Sequence, residues 1–182
     1  MEFTQSGLTL AIACGAGAVV YGWKSRDWIL SLPAGNEKMQ EISGAIEEGA
    51  RAYMRRQYTT IAYVGGALFV LIAMFLDVTT AMGFAVGAFL SGLTGFIGMN
   101  ISVKSNVRTA EAAKEGINAA LQVAFRGGAT VGLAVPAMAL VAITGLYLIF
   151  PDPITIAGVG IGASLIALFI RIGGGIFTKA AD

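Results

Sequence analysis

The feature that most constrains this chain is a stretch of seventeen residues, Ile154 to Ile170, without a single charged side chain. An α-helix needs about 20 predominantly apolar residues to cross the hydrocarbon core of a bilayer. With 56% hydrophobic and only 13% charged residues, the chain has the composition of a membrane protein rather than of a soluble domain. We therefore predict an all-α membrane protein with five transmembrane helices, at approximately residues 4–23, 58–76, 81–103, 127–150 and 154–177.

Basic residues are distributed unevenly between the two predicted sides of the membrane. Ten of the twelve Lys and Arg residues fall in the connections 24–57 and 104–126, whereas the opposite side carries only Glu2, Asp77 and Asp152. The positive-inside rule then predicts an outside N-terminus and cytoplasmic connections. A cleaved signal peptide is the rival interpretation of the first apolar segment. It is disfavoured because the basic residues follow that segment instead of preceding it.

Several kinds of chemistry are excluded by what the chain lacks. It has no histidine, which removes His-based general bases, catalytic triads with His and His-ligated metal sites. Its single cysteine, Cys14, cannot form an internal disulfide. The net charge of +1, with no basic run, gives no argument for a nucleic-acid partner.

The connection before the second span has the pattern of a polar helix that continues directly into that span. Glu47 and Arg51 form an i,i+4 pair in the favourable order. Apolar or small residues recur at spacings of three and four and predict one packed stripe, formed by Met39, Ile42, Ile46, Gly49 and Tyr53. A short turn is predicted at residues 77–80, and a break at Gly116 within the second polar connection.

Small residues recur every fourth position in the third span. Gly83, Gly87, Ser91 and Gly95 would form one ridge along the helix. Small residues at this spacing allow the backbone of a neighbouring membrane helix to approach closely. General glycine richness is the alternative, but four positions in register favour a packing ridge.

The last dozen residues combine a cation with a glycine run. Arg171 follows the uncharged stretch directly, and Lys179 and Asp182 lie two to three turns further along. If the helix continues, Arg171, Gly175 and Asp182 share one face. The simplest interpretation is that Arg171 snorkels to the membrane surface. Because ionisable groups in a span are costly and usually face a polar path or a partner, a functional cation is the other interpretation.

These residues also carry a family resemblance. The segment 171–182, Arg-Ile-Gly-Gly-Gly-Ile-Phe-Thr-Lys-Ala-Ala-Asp, resembles the segment leading into the pyrophosphate-binding signature of the membrane-integral, ion-translocating pyrophosphatases. Ile172 and Phe177 are mild departures from the common Val and Tyr. Shorter stretches are similar too, at residues 35–39, 48–50, 56–58, 91–100, 106–113 and 124–129.

The resemblance implies a pump that couples hydrolysis of inorganic pyrophosphate to translocation of H⁺ or Na⁺, with Mg²⁺ required and K⁺ as a further candidate ion. It implies that Lys179 contacts pyrophosphate, Asp182 ligates Mg²⁺, and Arg171 belongs to an ion gate. The complete protein would be a homodimer of roughly sixteen spans per subunit. This chain would be its N-terminal part, joined to the remainder of the polypeptide and inactive by itself, with no catalytic residue of its own.

Two other functions are compatible with composition alone. One is a carrier or channel without hydrolysis, in which Arg171 binds an anion or counter-ion. The other is a small structural membrane protein. The motifs favour the pyrophosphate-driven pump.

Overall fold

The computed structural model describes the backbone from Glu2 to Ala181 and the side chains from Ser6 to Gly175. This part of the chain contains five α-helices and no strand. The helices are α1 (Glu2–Ser31), α2 (Glu37–Phe75), α3 (Val78–Ala112), α4 (Ile117–Ile149) and α5 (Pro153–Ala181), with a 3₁₀ turn at Ala113–Glu115. All five helices are long and apolar enough to cross a membrane, which confirms the predicted all-α membrane fold.

The helices extend well beyond the apolar segments. The 39 residues of α2 span about 58 Å at ~1.5 Å per residue, nearly twice the thickness of the hydrocarbon core. The predicted continuity of the polar helix with the second span is therefore confirmed. The connection 104–126 is almost entirely helical, since α3 continues to Ala112 and α4 begins at Ile117. The predicted break at Gly116 is confirmed, and its φ of 120° is one that few other residues adopt.

Short connections make successive helices antiparallel and define two ends of the bundle. The acidic end contains the connections around Asp77 and Asp152, and the basic end contains the connections at 32–36 and 113–116. The predicted turn at 77–80 was too long, because α3 begins directly after Asp77.

Matching caps explain where α3 and α5 begin at the acidic end. The Asp77 carboxylate accepts hydrogen bonds from the Thr80 N–H at 2.7 Å and the Thr80 hydroxyl at 2.6 Å. Asp152 accepts the same two bonds from Thr155, both at 2.9 Å. These carboxylates satisfy N–H groups that have no partner within the first turn of a helix. Both helices therefore start from an Asp-x-x-Thr cap.

The two caps predict sensitivity to acid. The hydroxyl and then the N–H of Thr80 lower the pKa of Asp77, and the N–H and then the hydroxyl of Thr155 lower the pKa of Asp152. A carboxylate with a lowered folded pKa stabilises the fold above its ordinary pKa of 3.8. That contribution is lost as the pH falls through the folded pKa. We expect the thermal midpoint of the complete protein in detergent to fall in this acidic range.

The matched variant is Asp77→Asn/Asp152→Asn, because asparagine caps a helix without titrating. Its midpoint should fall less steeply than that of the wild type between about pH 5 and pH 2, where the two wild-type carboxylates become protonated. Identical pH dependence in the two proteins would show that the caps do not contribute to acid sensitivity.

The core of the bundle is the parallel pair α3 and α5. Gly83 packs on the backbone carbonyl of Thr155 and Gly87 packs on that of Val159, so neither position has room for a Cβ. One turn further, the Ser91 hydroxyl donates a hydrogen bond of 3.0 Å to a carbonyl of α5. The predicted small-residue ridge of the third span is therefore confirmed as a packing surface.

Glycines of α5 pack on the backbone of α3 in the same way. Gly158 of α5 packs on the carbonyl of Thr80, and Gly162 packs on the carbonyl of Phe84. Each helix thus places glycines against carbonyls of the other, at a spacing of four residues. Close backbone approach of this kind allows the van der Waals packing that helps to hold helices together in a membrane, where lipid tails are as apolar as the side chains.

The packed face of α2 differs from the predicted stripe. Ile42 is 53% exposed and Gly49 is exposed as well, whereas Ala50, Met54 and Ile61 are buried. The stripe was placed by helical spacing alone, whereas the buried side of α2 includes the small Ala50, which lines a small cavity with Met99 and Val103 of α3. The predicted Glu47–Arg51 ion pair is confirmed at 3.2 Å.

Candidate functional site

Arg171 lies on α5 at the side of a groove formed by α3, α4 and α5. The groove has a volume of about 670 Å³ and is lined mainly by small and apolar side chains. Its polar lining consists of Ser91, Thr94, Ser102, Ser164 and Arg171. Arg171 is exposed, and within residues 6–175 no carboxylate forms an ion pair with it.

The other two predicted site residues lie at the end of α5. The helix continues to Ala181, so Lys179 follows Arg171 at helical spacing, about 12 Å further along the axis. The Lys179 side chain and the whole of Asp182 lie outside the residues that the structure describes. Their predicted roles are therefore not tested by geometry.

Two polar residues of α2 hold α5 beside Arg171. The Gln57 amide donates a hydrogen bond of 2.8 Å to the carbonyl of Phe169, and the Tyr53 hydroxyl donates one of 3.4 Å to the carbonyl of Ile170. Gly173 is buried beneath them: a Cβ there would lie 2.5 Å from the Tyr53 hydroxyl and 3.0 Å from the Gln57 amide oxygen. We call Tyr53, Gln57 and Gly173 the α2–α5 contact.

The sequence did not predict this contact. Tyr53 was assigned to an apolar stripe, and Gln57 appeared only as the middle residue of a short family-like stretch at 56–58. A polar residue at the point where a helix enters the apolar region was the available signal, since it needs a hydrogen-bonding partner there. Nothing in the local sequence indicates that the partner is α5.

Two arginines at the basic end fix the C-terminus of α1. Arg108 donates hydrogen bonds to the carbonyls of Leu30 and Leu32, where the helix dipole favours a cation. The guanidinium carbon of Arg126 lies 4.0 Å from the centre of the Trp28 ring, a cation–π contact. These two charges therefore have structural contacts within the chain, whereas Arg171 lines an open groove.

The described residues do not form a metal site by themselves. Between Ser6 and Gly175 no three Asp, Glu, His or Cys side chains come together. Asp182 lies outside these residues, so its predicted role as a Mg²⁺ ligand stays a prediction.

Comparison with known proteins identifies the family. The sequence model described as "Inorganic H+ pyrophosphatase" matches residues 16–182. A "K(+)-insensitive pyrophosphate-energized proton pump" of Methanosarcina mazei is 54% identical, covering 85% of this chain and 23% of the relative. A relative of the same name from Pyrobaculum aerophilum is 44% identical, with 95% and 26% covered.

A third relative carries a different ion in its name. The "Putative K(+)-stimulated pyrophosphate-energized sodium pump" of Clostridium tetani is 41% identical, covering 98% of this chain and 27% of the relative. The chain thus spans about a quarter of the length of the curated relatives that it matches. Because the family match extends over nearly the whole chain and ends beyond the glycine run of α5, the chain belongs to the inorganic H⁺ pyrophosphatase family.

Proposed function

We propose that this chain is part of an ion pump that couples the hydrolysis of inorganic pyrophosphate to translocation of H⁺ or Na⁺ across a membrane. The observation that carries the proposal is the family match over residues 16–182, which includes Arg171, Lys179 and Asp182. The relatives' names include both proton and sodium pumps, and both K⁺-insensitive and K⁺-stimulated ones. The proposal therefore covers either transported ion, with K⁺ as a further candidate ion.

The proposed chemistry uses the end of α5. Pyrophosphate carries several negative charges, which must be neutralised before water can approach a phosphorus atom. Lys179 contributes a positive charge to the substrate, and Asp182 contributes one carboxylate ligand to Mg²⁺. Bound Mg²⁺ would polarise and neutralise the phosphate oxygens. The remaining ligands and the group that activates water come from the rest of the polypeptide.

Arg171 is proposed as part of the ion gate. It lies about 12 Å before Lys179 along the same helix and lines the α3–α4–α5 groove. A cation at this depth requires an acidic partner, which in this proposal is provided by a helix from the remainder of the protein. Substrate binding near Lys179 would change the pairing of Arg171 and so connect hydrolysis with ion movement.

The proposed arrangement in the membrane follows the distribution of charge. The N-terminus lies outside, and the basic end, with the connections 24–57 and 104–126, faces the cytoplasm. Pyrophosphate then binds from the cytoplasmic side. The complete protein is proposed to be a homodimer of roughly sixteen spans per subunit.

The proposal predicts that Lys179→Ala and Asp182→Ala severely impair pyrophosphate hydrolysis in the complete protein. Removing one charge from a cluster leaves its partners uncompensated, at a cost of roughly 3–5 kcal/mol. This corresponds to a fall of at least about 100-fold in kcat/KM. The measurement is phosphate release at several Mg²⁺ concentrations, where Asp182→Ala should also raise the Mg²⁺ requirement if turnover persists.

Lys38→Ala is the matched control, because Lys38 is an exposed lysine whose ion pair with Glu41 lies at the basic end of α2. It should leave hydrolysis nearly unchanged. Wild-type protein that does not hydrolyse pyrophosphate would overturn the proposed function. Near-normal kinetics in both α5 variants would overturn only the assignment of these two residues.

A further inference from the structure

The α2–α5 contact fixes one side of α5. Gln57 and Tyr53 approach the carbonyls of two successive residues, Phe169 and Ile170, and Gly173 lies one turn further on the same side as Phe169. These carbonyls already accept the intrahelical bonds of α5, so the α2 side chains use the second lone pair of each oxygen. Such a bond is possible only when this side of α5 faces α2.

The position of Arg171 follows from this geometry. Successive residues of an α-helix are about 100° apart, so a residue two positions from both Phe169 and Gly173 lies on nearly the opposite side of the helix. Arg171 is that residue, and it lines the groove on the far side of α5 from α2. The contact that holds residues 169 and 173 against α2 therefore directs Arg171 away from α2 and into the groove.

The backbone of α5 that follows Arg171 consists of residues with a low helix propensity. The run Gly173-Gly174-Gly175 lies within α5, and each of these glycines weakens a helix by about 1 kcal/mol relative to alanine. No side chain in this run can lock the helix by packing. The hydrogen bonds from α2 are accepted by Phe169 and Ile170. They therefore lie where the apolar span ends and directly before Arg171 and the glycine run.

We infer that Gln57, assisted by Tyr53, is a positioning residue that sets the rotation of α5 and so holds Arg171 in the α3–α4–α5 groove. The inference rests on the proposed pump function, since its consequence is for coupling. In this inference Gln57 acts on the position of α5 and not on substrate or the transported ion. It acts through the carbonyl of Phe169, and it makes the polar segment of α2 part of the coupling apparatus.

The test uses the complete protein in sealed vesicles and the variant Gln57→Met, which keeps the length of the side chain and removes the amide. The control is Gln40→Met. Gln40 also lies on α2, and its amide donates a 2.8 Å hydrogen bond to the carbonyl of Gly35. Two quantities are measured: ions taken up per pyrophosphate hydrolysed, and amide hydrogen exchange of residues 169–175 by mass spectrometry.

We expect Gln57→Met to lower ion uptake per hydrolysis by about fivefold, the effect of losing one neutral hydrogen bond that favours the productive position. Exchange in residues 169–175 should rise, and Gln40→Met should change neither quantity. Gly173→Ala disturbs the same contact from the α5 side, because its Cβ would collide with the Tyr53 hydroxyl. It should also lower the uptake ratio and raise exchange in residues 169–175. Because both changes act through one contact, the double variant should be no worse than the more damaging single variant.

Several outcomes would overturn the inference. One is an unchanged uptake ratio in Gln57→Met, and another is an equal loss in Gln57→Met and Gln40→Met. Fully additive effects of Gln57→Met and Gly173→Ala would also contradict a shared contact. If Gln57→Met does not assemble, Gly173→Ala alone is judged by the same two measurements. A wild-type protein without hydrolysis would defeat the proposed function, while the exchange measurement would still decide whether Gln57 fixes α5.

Discussion

Replacing Arg171 with alanine in the complete protein is expected to reduce ion uptake to background and to lower pyrophosphate hydrolysis at the same time. In the proposed gate the change removes the cation of an ion pair and leaves its acidic partner uncompensated, at a cost of roughly 3–5 kcal/mol. Uptake should suffer at least as much as hydrolysis, because the gate lies between substrate and ion path. Both rates are measured on the same vesicles.

Two further variants test whether the effect depends on the guanidinium group and on the position of Arg171. Arg171→Lys keeps the charge but loses the planar fork of the guanidinium, so we expect only partial recovery. Arg51→Ala is the control, since the Arg51 side chain is 77% exposed and forms an ion pair with Glu47, a neighbour on the same helix. If Arg171→Ala leaves both rates and their ratio unchanged, Arg171 is a snorkelling residue at the membrane boundary and the gate assignment fails.

Substitution of the interlocked glycines is expected to prevent normal assembly. A Cβ at Gly87 would collide with the carbonyl of Val159, and one at Gly162 would collide with that of Phe84. Backbone cannot move aside as a flexible side chain can, so α3 and α5 must separate along their length. Overpacking costs about 1–3 kcal/mol at one site, and occasionally more. Gly87→Ala/Gly162→Ala should therefore reduce both the yield of folded protein and its thermal midpoint.

Gly44→Ala is the control for this experiment. Gly44 lies within the polar part of α2 and a Cβ there would meet nothing within 4 Å. Alanine should stabilise the helix at that position by about 0.5–1 kcal/mol. If Gly87→Ala/Gly162→Ala had the same thermal midpoint as Gly44→Ala, α3 and α5 would be further apart than the structure indicates.

The sequence predicted one half of the α3–α5 pair and missed the other. The spacing of Gly83, Gly87 and Ser91 identified a face of α3, because a helical period shows which residues lie together. It does not show which helix covers that face. Gly158 and Gly162 belong to a segment with many glycines, and only their position against α3 separates them from the others.

The candidate site shows the same limit. Arg171 could be recognised from a charge at the end of an uncharged stretch, since such a charge is costly and unusual. Gln57 carried no comparable signal. It lies 112 residues from its acceptor on α5, so the contact depends on how α2 and α5 are brought together by α3. Long-range pairings of this kind follow from packing, which no local pattern encodes.

The α3–α5 pair also has a consequence for how the protein is made. The Ser91 hydroxyl and its acceptor on α5 are 72 residues apart. At about 5–20 residues per second, a ribosome needs roughly 4–14 s to synthesise that interval. For most of this time α3 is complete but its glycine face has no partner, because α4 is made before α5. The newly made α3 must therefore remain beside the insertion machinery, or beside loosely packed neighbours, until α5 arrives.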